Sequence, residues 1–137
     1  MHLRNCREKK SNTRVYFEWI KVLLDEGYRV YLTDVVKIWI SKANSDKGTS
    51  LNKHDETRFI EVLRTELENL NPIAVITWGD KAKKGLEEVN LDINHFNITH
   101  PSGAANGIWS QRTGRPATQR NRLEDWQQQV LEYLSGL

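Results

Sequence analysis

The residues whose types and spacing could do chemistry are concentrated in Thr99-His100-Pro101-Ser102-Gly103-Ala104-Ala105-Asn106. This stretch follows the alternating run Ile93-Asn94-His95-Phe96-Asn97-Ile98, which reads as a strand, and it precedes four arginines, Arg112, Arg115, Arg120 and Arg122. A loop of His, Pro, Ser and Gly at the carboxyl end of a strand is where an open α/β sheet binds its ligand. Pro101 fixes its own φ and biases His100 toward an extended backbone, while Gly103 permits a turn or a close ligand approach that a β-carbon would block. With no acid between Asn106 and Leu123, the arginines are candidates for phosphate contacts. Two readings stand side by side: a ligand-binding loop, or a strand-to-helix connection with a hydrogen-bonded His and a solvated arginine run.

The elements that must position this loop follow from periodicity. Val15, Tyr16, Trp19, Ile20, Leu23 and Leu24 share one face of a helix over Thr13–Glu26, with Asn12 or Thr13 as cap and Gly27 as stop. Residues 28–37, Tyr-Arg-Val-Tyr-Leu-Thr-Asp-Val-Val-Lys, are rich in β-branched and aromatic types and are expected to form a strand ending near Asp34. A polar stretch over 41–53 with Gly48 as hinge reads as a lid or an excursion. A second helix is expected from Asn52 to Leu70, with Phe59, Ile60, Leu63, Leu67 and Leu70 inward and Pro72 as its stop. Ile73-Ala74-Val75-Ile76-Thr77-Trp78 reads as a strand buried on both faces, Gly79-Asp80 turns into a helix over 81–89, and a last helix over 117–134 carries Leu123, Trp126, Val130 and Leu134. Strand and helix alternate, so the expected fold is a three-layer α/β/α sandwich on a mostly parallel sheet of three to four strands. In it the strand ends at Asp34, Gly79 and His100 share one edge.

Composition narrows the function. A chain of 137 residues with 38% apolar and 28% charged residues and five Trp is one globular domain over 13–137, and residues 1–12 read as a disordered or basic arm bearing Arg4, Arg7, Lys9 and Lys10. The single cysteine, Cys6, excludes an internal disulfide framework and argues against a cysteine-built metal site, so no cofactor and no metal are expected. No run approaches the ~18 apolar residues of a membrane span, and the first residues lack the apolar core of a signal peptide. A cytoplasmic protein without a membrane partner is expected. The net charge of +2 is too small to argue nucleic-acid binding by itself.

The succession Val30-Tyr31-Leu32-Thr33-Asp34-Val35-Val36-Lys37, then Glu66-Leu67 ahead of Asn71-Pro72-Ile73-Ala74-Val75-Ile76 with Gly79 and Ala82, then Thr99-His100-Pro101-Ser102-Gly103, resembles the uracil-DNA glycosylase superfamily across residues 13–134. The resemblance implies a DNA base-excision N-glycosylase, a repair hydrolase that holds a flipped base at its strand ends. His100 matches the family histidine that stabilises negative charge on the departing base. Ser102 and the loop backbone at Gly103 would bind phosphate, Asp34 and Gly79 would line the base pocket, and Arg112, Arg115, Arg120 and Arg122 would hold the DNA backbone. The implied partner is DNA, bound by a monomer that associates with the nucleoid.

This chain departs from the family pattern at several positions. Asp34 stands where the family strand ends in Asn; ionised, it is an acceptor only and prefers a base edge that donates twice. Beside His100 it would raise the imidazole pKa. The family's water-activating motif lies upstream of the first helix, and residues 1–12 contain nothing like it. Gly103-Ala104-Ala105 cannot fill the space of an extruded nucleotide, and Ile108 or Trp109 could do so only if the loop bends. Three readings follow: an N-glycosylase, a non-catalytic nucleic-acid-binding module of the same fold, or a fragment of a longer glycosylase.

Overall fold

The computed structural model describes residues 13–37 and 53–137. The expected arm over 1–12, the polar stretch over 41–52 and the Asn52 cap lie outside the described residues. The fold is mixed α/β with a small parallel sheet of two strands among the described residues. In chain order the elements are α1 (Thr13–Asp25), α2 (Lys53–Leu70), β1 (Val75–Trp78), α3 (Asp80–Val89), β2 (His95–Ile98), a 3-10 turn (Gly103–Ala105), α4 (Asn106–Thr113) and α5 (Gln119–Ser135). Of the described residues, 13–31 and 98–137 form one compact unit, and 32–37 with 53–97 form another.

The first unit is built on tryptophans. α1 is stopped by Gly27, two residues past its end, whose φ of 85° only glycine adopts without strain; Gly27 N–H donates to Leu24 O at 3.0 Å and Tyr28 N–H to Leu23 O at 3.0 Å, which satisfies two of the last carbonyls of the helix. Trp19 of α1 is fully buried, stacks on Trp126 of α5 and meets Trp109 of α4 edge-on, with centroids 5.6 Å apart. α5 opens on Thr118, whose hydroxyl accepts from Asn121 N–H at 3.1 Å.

The second unit packs α2 and α3 over β1. Ile60, Leu63 and Leu67 of α2 meet Leu86 and Val89 of α3, with Val75, Leu91, Ile93 and Val35 around them. Gly85 of α3 lies directly under Val35: a β-carbon there would come within 2.5 Å of Val35 Cγ1. The two strands are joined by Val75 N–H donating to Asn94 O at 2.8 Å, and Asn94 Nδ2 reaches Ile73 O at 3.0 Å.

Two expectations are corrected here. Residues 28–37 are in no strand among the described residues, and Tyr31 and Leu32 are each 57% exposed; β-branched residues favour an extended chain, but that preference alone does not make a sheet. The part over 32–37 is instead fixed by side chains, with Val35 on Gly85 and the Lys37 ammonium 2.6 Å from Glu66. The stretch after the His100 loop, expected to be an open arginine run, contains the eight-residue helix α4.

Candidate functional site

The Thr99–Ala105 loop is gripped at three successive residues. Arg112 Nη1 donates to Thr99 Oγ1 at 2.9 Å, Trp109 Nε1 to His100 O at 3.1 Å, and Arg122 Nη1 to Pro101 O at 2.5 Å. Thr99 and Pro101 are buried, His100 and Ser102 half-buried. Ser102 O accepts from Ala105 N–H at 3.1 Å, which closes the 3-10 turn leading into α4. Tyr16 of α1 sets its ring edge against the His100 imidazole, centroids 5.8 Å apart and planes at 76°.

The state of His100 follows from one further contact. The Ser102 backbone N–H donates to His100 Nδ1 at 3.2 Å, so Nδ1 is an acceptor and the proton of the neutral ring sits on Nε2. Burial holds the imidazole pKa below its ordinary value, against the rise expected for a ring paired with a carboxylate. The ring is therefore a neutral Nε2–H donor. The Ser102 hydroxyl is not spent on capping the turn that follows it. Gly103 has open space where a β-carbon would stand and no positive φ, so neither the turn nor a neighbouring side chain requires a glycine there.

The four arginines do different things. Arg122 is 7% exposed; its pKa is lowered by burial, and its Nε has no hydrogen-bond partner. Arg115 places Nη1 2.9 Å from Asp125 and Nη2 2.9 Å from Glu124 and 3.1 Å from Asn121. Arg120 extends into solvent with Nε 2.8 Å from Glu124. Glu124 is held below the usual carboxylate range by its hydrogen bonds to Arg120 and Arg115, and the Glu124 bond raises Arg115. The basic run is thus met by two acids that follow it on α5. Arg112 and Arg120 are left as its surface cations.

Asp34 and Gly79 belong to the other unit. Asp34 is exposed just before a bend at Val35 and Val36, and Gly79, at φ 84°, turns the chain from β1 into α3 without a side-chain cap. That unit also holds a polar cluster absent from the sequence-level candidates. Thr77 Oγ1 donates to Asn97 Oδ1 at 2.9 Å; having one proton, it accepts from His95 Nε2 at 2.8 Å. Burial lowers the His95 pKa, opposed by the charge of Glu87 and aided by that of Lys83. The alternation of His95 and Asn97 is the signal that places both on one face of β2.

Among the described residues no group of three or more His, Cys, Asp or Glu side chains is placed to hold a metal ion, and no helix is long and apolar enough to cross a membrane. Compared with protein-family models, curated proteins and solved structures, the chain matches none.

Proposed function

We propose that this chain is a uracil-DNA glycosylase-like domain that takes a flipped DNA base against the Thr99–Gly103 loop, with His100 as the donor to the base. The observation that carries this reading is the Ser102 N–H bond to His100 Nδ1, which leaves a neutral Nε2–H to donate. A neutral donor beside a base carbonyl stabilises the negative charge that grows as the glycosidic bond breaks, and it does so without first losing a proton. The Ser102 hydroxyl would position a phosphate. The same reading takes the fold to be a three-layer α/β/α sandwich of the superfamily type.

The variant of this reading that we favour is base binding with little or no excision. Among the described residues, the side chains that hydrogen-bond to the 99–101 stretch or set a ring against His100 are Tyr16, Trp109, Arg112 and Arg122, none of them a carboxylate that could orient water. The test incubates the purified chain with single- and double-stranded oligonucleotides containing uracil, hypoxanthine or xanthine, scores binding by mobility, and cleaves abasic sites with alkali. The expected result is binding that weakens in His100→Ala, with little or no abasic product. Robust uracil release lost in His100→Ala would make the chain an active glycosylase. No preference for any base-modified DNA would overturn the proposal.

A further inference from the structure

Arg122 is expensive where it sits. It is 7% exposed, it has no carboxylate within salt-bridge distance among the described residues, and its Nε has no partner. A buried guanidinium without a counter-ion is costly because its charge is taken out of water unpaired, and its one bond in the loop goes to a backbone carbonyl, Pro101 O. The geometry of that bond says what the residue does. Pro101 C=O and Ser102 N–H are the two ends of a single peptide group, planar and trans, so fixing the oxygen fixes the direction of the hydrogen. The oxygen is held by Arg122, and the hydrogen points at His100 Nδ1.

We infer that Arg122 is the positioning residue that sets the His100 tautomer: by clamping Pro101 O it aims Ser102 N–H at Nδ1 and so keeps the ring proton on Nε2. The charge on the guanidinium strengthens the clamp, because a hydrogen bond from an ionised donor is about twice as strong as a neutral one. Trp109 holds the neighbouring peptide instead, through His100 O; that peptide ends on the Pro101 nitrogen, which has no hydrogen to aim. The two residues therefore separate orientation of the His100 ring from simple support of the loop. That this donor serves a departing base rests on the function proposed above; the tautomer control does not.

The test is nitrogen-15 NMR of the His100 ring in the folded chain without DNA. In the wild type, Nδ1 resonates as an unprotonated acceptor, Nε2 as protonated, and the Ser102 amide nitrogen shows a scalar coupling to Nδ1 across the hydrogen bond. In Arg122→Met the two ring resonances converge as the tautomers mix, and the His100 pKa rises, because losing a donor to Nδ1 removes support for the neutral ring. In Trp109→Phe, which loses the hydrogen bond to the neighbouring loop carbonyl, His100 O, the tautomer stays as in the wild type. A wild-type ring protonated on Nδ1, or lacking the coupling, overturns the inference even if Arg122→Met does not fold. So does a folded Arg122→Met with wild-type ring shifts and pKa. Failure of the glycosylase reading would show in the DNA-binding assay and leave these spectra unchanged.

Discussion

Trp126 lies flat on Trp19, ring centroids 4.8 Å apart and planes 14° from parallel, and its indole N–H donates to the Trp19 carbonyl at 3.1 Å. One side chain thus joins α5 to α1 by both area and a directed bond. Trp126→Ala is expected to cost about 3–5 kcal/mol, and Trp126→Phe, which keeps an aromatic ring but loses the N–H, about 1–2 kcal/mol. Urea unfolding of the two variants checks the order. Equal losses would mean that the N–H bond, and not the packed area, carries the contact.

The long helices were legible because each shows a core face. The ends expected for α1, α2, α3 and α5 fall within about two residues of those observed, as is usual where caps and fraying set the boundary. α4 was not legible, since its two apolar residues, Ile108 and Trp109, are adjacent and give no helical period. Ile108 is half-exposed, so a single tryptophan anchors that helix. The strand expected over 28–34 failed for the opposite reason: its composition suits a strand, but composition does not supply a ladder partner.

Within the candidate site, His100, Pro101 and Ser102 could be read from the loop itself, whereas their supports could not. Arg122 read as one of a solvated basic run. Yet it stands four residues before Trp126 and eight before Val130, on the face that α5 buries, and that spacing was the available signal. The acids that meet Arg115 and Arg120 were also in plain view at 124 and 125. They stand immediately after the acid-free stretch that ends at Leu123.

Stability should fall on mild acidification. Burial depresses both His95 and His100 in the folded chain, so the unfolded chain takes up protons first as pH falls below the ordinary value of 6.5. The stability these rings contribute is fully present above that value, declines as pH falls toward their folded pKa values, and is constant again below them. Urea midpoints at about pH 7.5 and about pH 5.5 should differ in that direction. His100→Gln should flatten the slope, and an unchanged slope would assign the whole effect to His95.

Gly85→Ala sets two effects against each other. Alanine gains about 1 kcal/mol of helix propensity, but its β-carbon would meet Val35 Cγ1 at 2.5 Å, an overlap relieved only if the Val35 side chain or α3 shifts. Overpacking of this kind costs about 1–3 kcal/mol, so net destabilisation is expected. In the Val35→Ala background the overlap disappears, and Gly85→Ala should become neutral or stabilising. A double-mutant cycle by chemical unfolding reads the coupling directly. No coupling would mean that residue 35 moves aside without cost.

The DNA affinity proposed here should carry a salt signature set by two arginines, not four. Arg122 is buried against Pro101 O, and Arg115 is held by Asp125, Glu124 and Asn121, so neither is placed to exchange counterions at the surface. Arg112 is exposed and spends one nitrogen on Thr99, and Arg120 extends into solvent with a single bond to Glu124. Each phosphate neutralised on duplex DNA adds about 0.9 to the log–log dependence of affinity on salt. Arg112→Gln and Arg120→Gln should each lower the slope by about that amount, and Arg115→Gln should leave it nearly unchanged. Glu124→Gln should steepen it, because removing the acid frees Arg120 and loosens Arg115. Titrations at several salt concentrations provide the measurement. A slope that falls in Arg115→Gln as far as in Arg120→Gln would show that DNA draws Arg115 off its acids, and that the whole run engages phosphate after all.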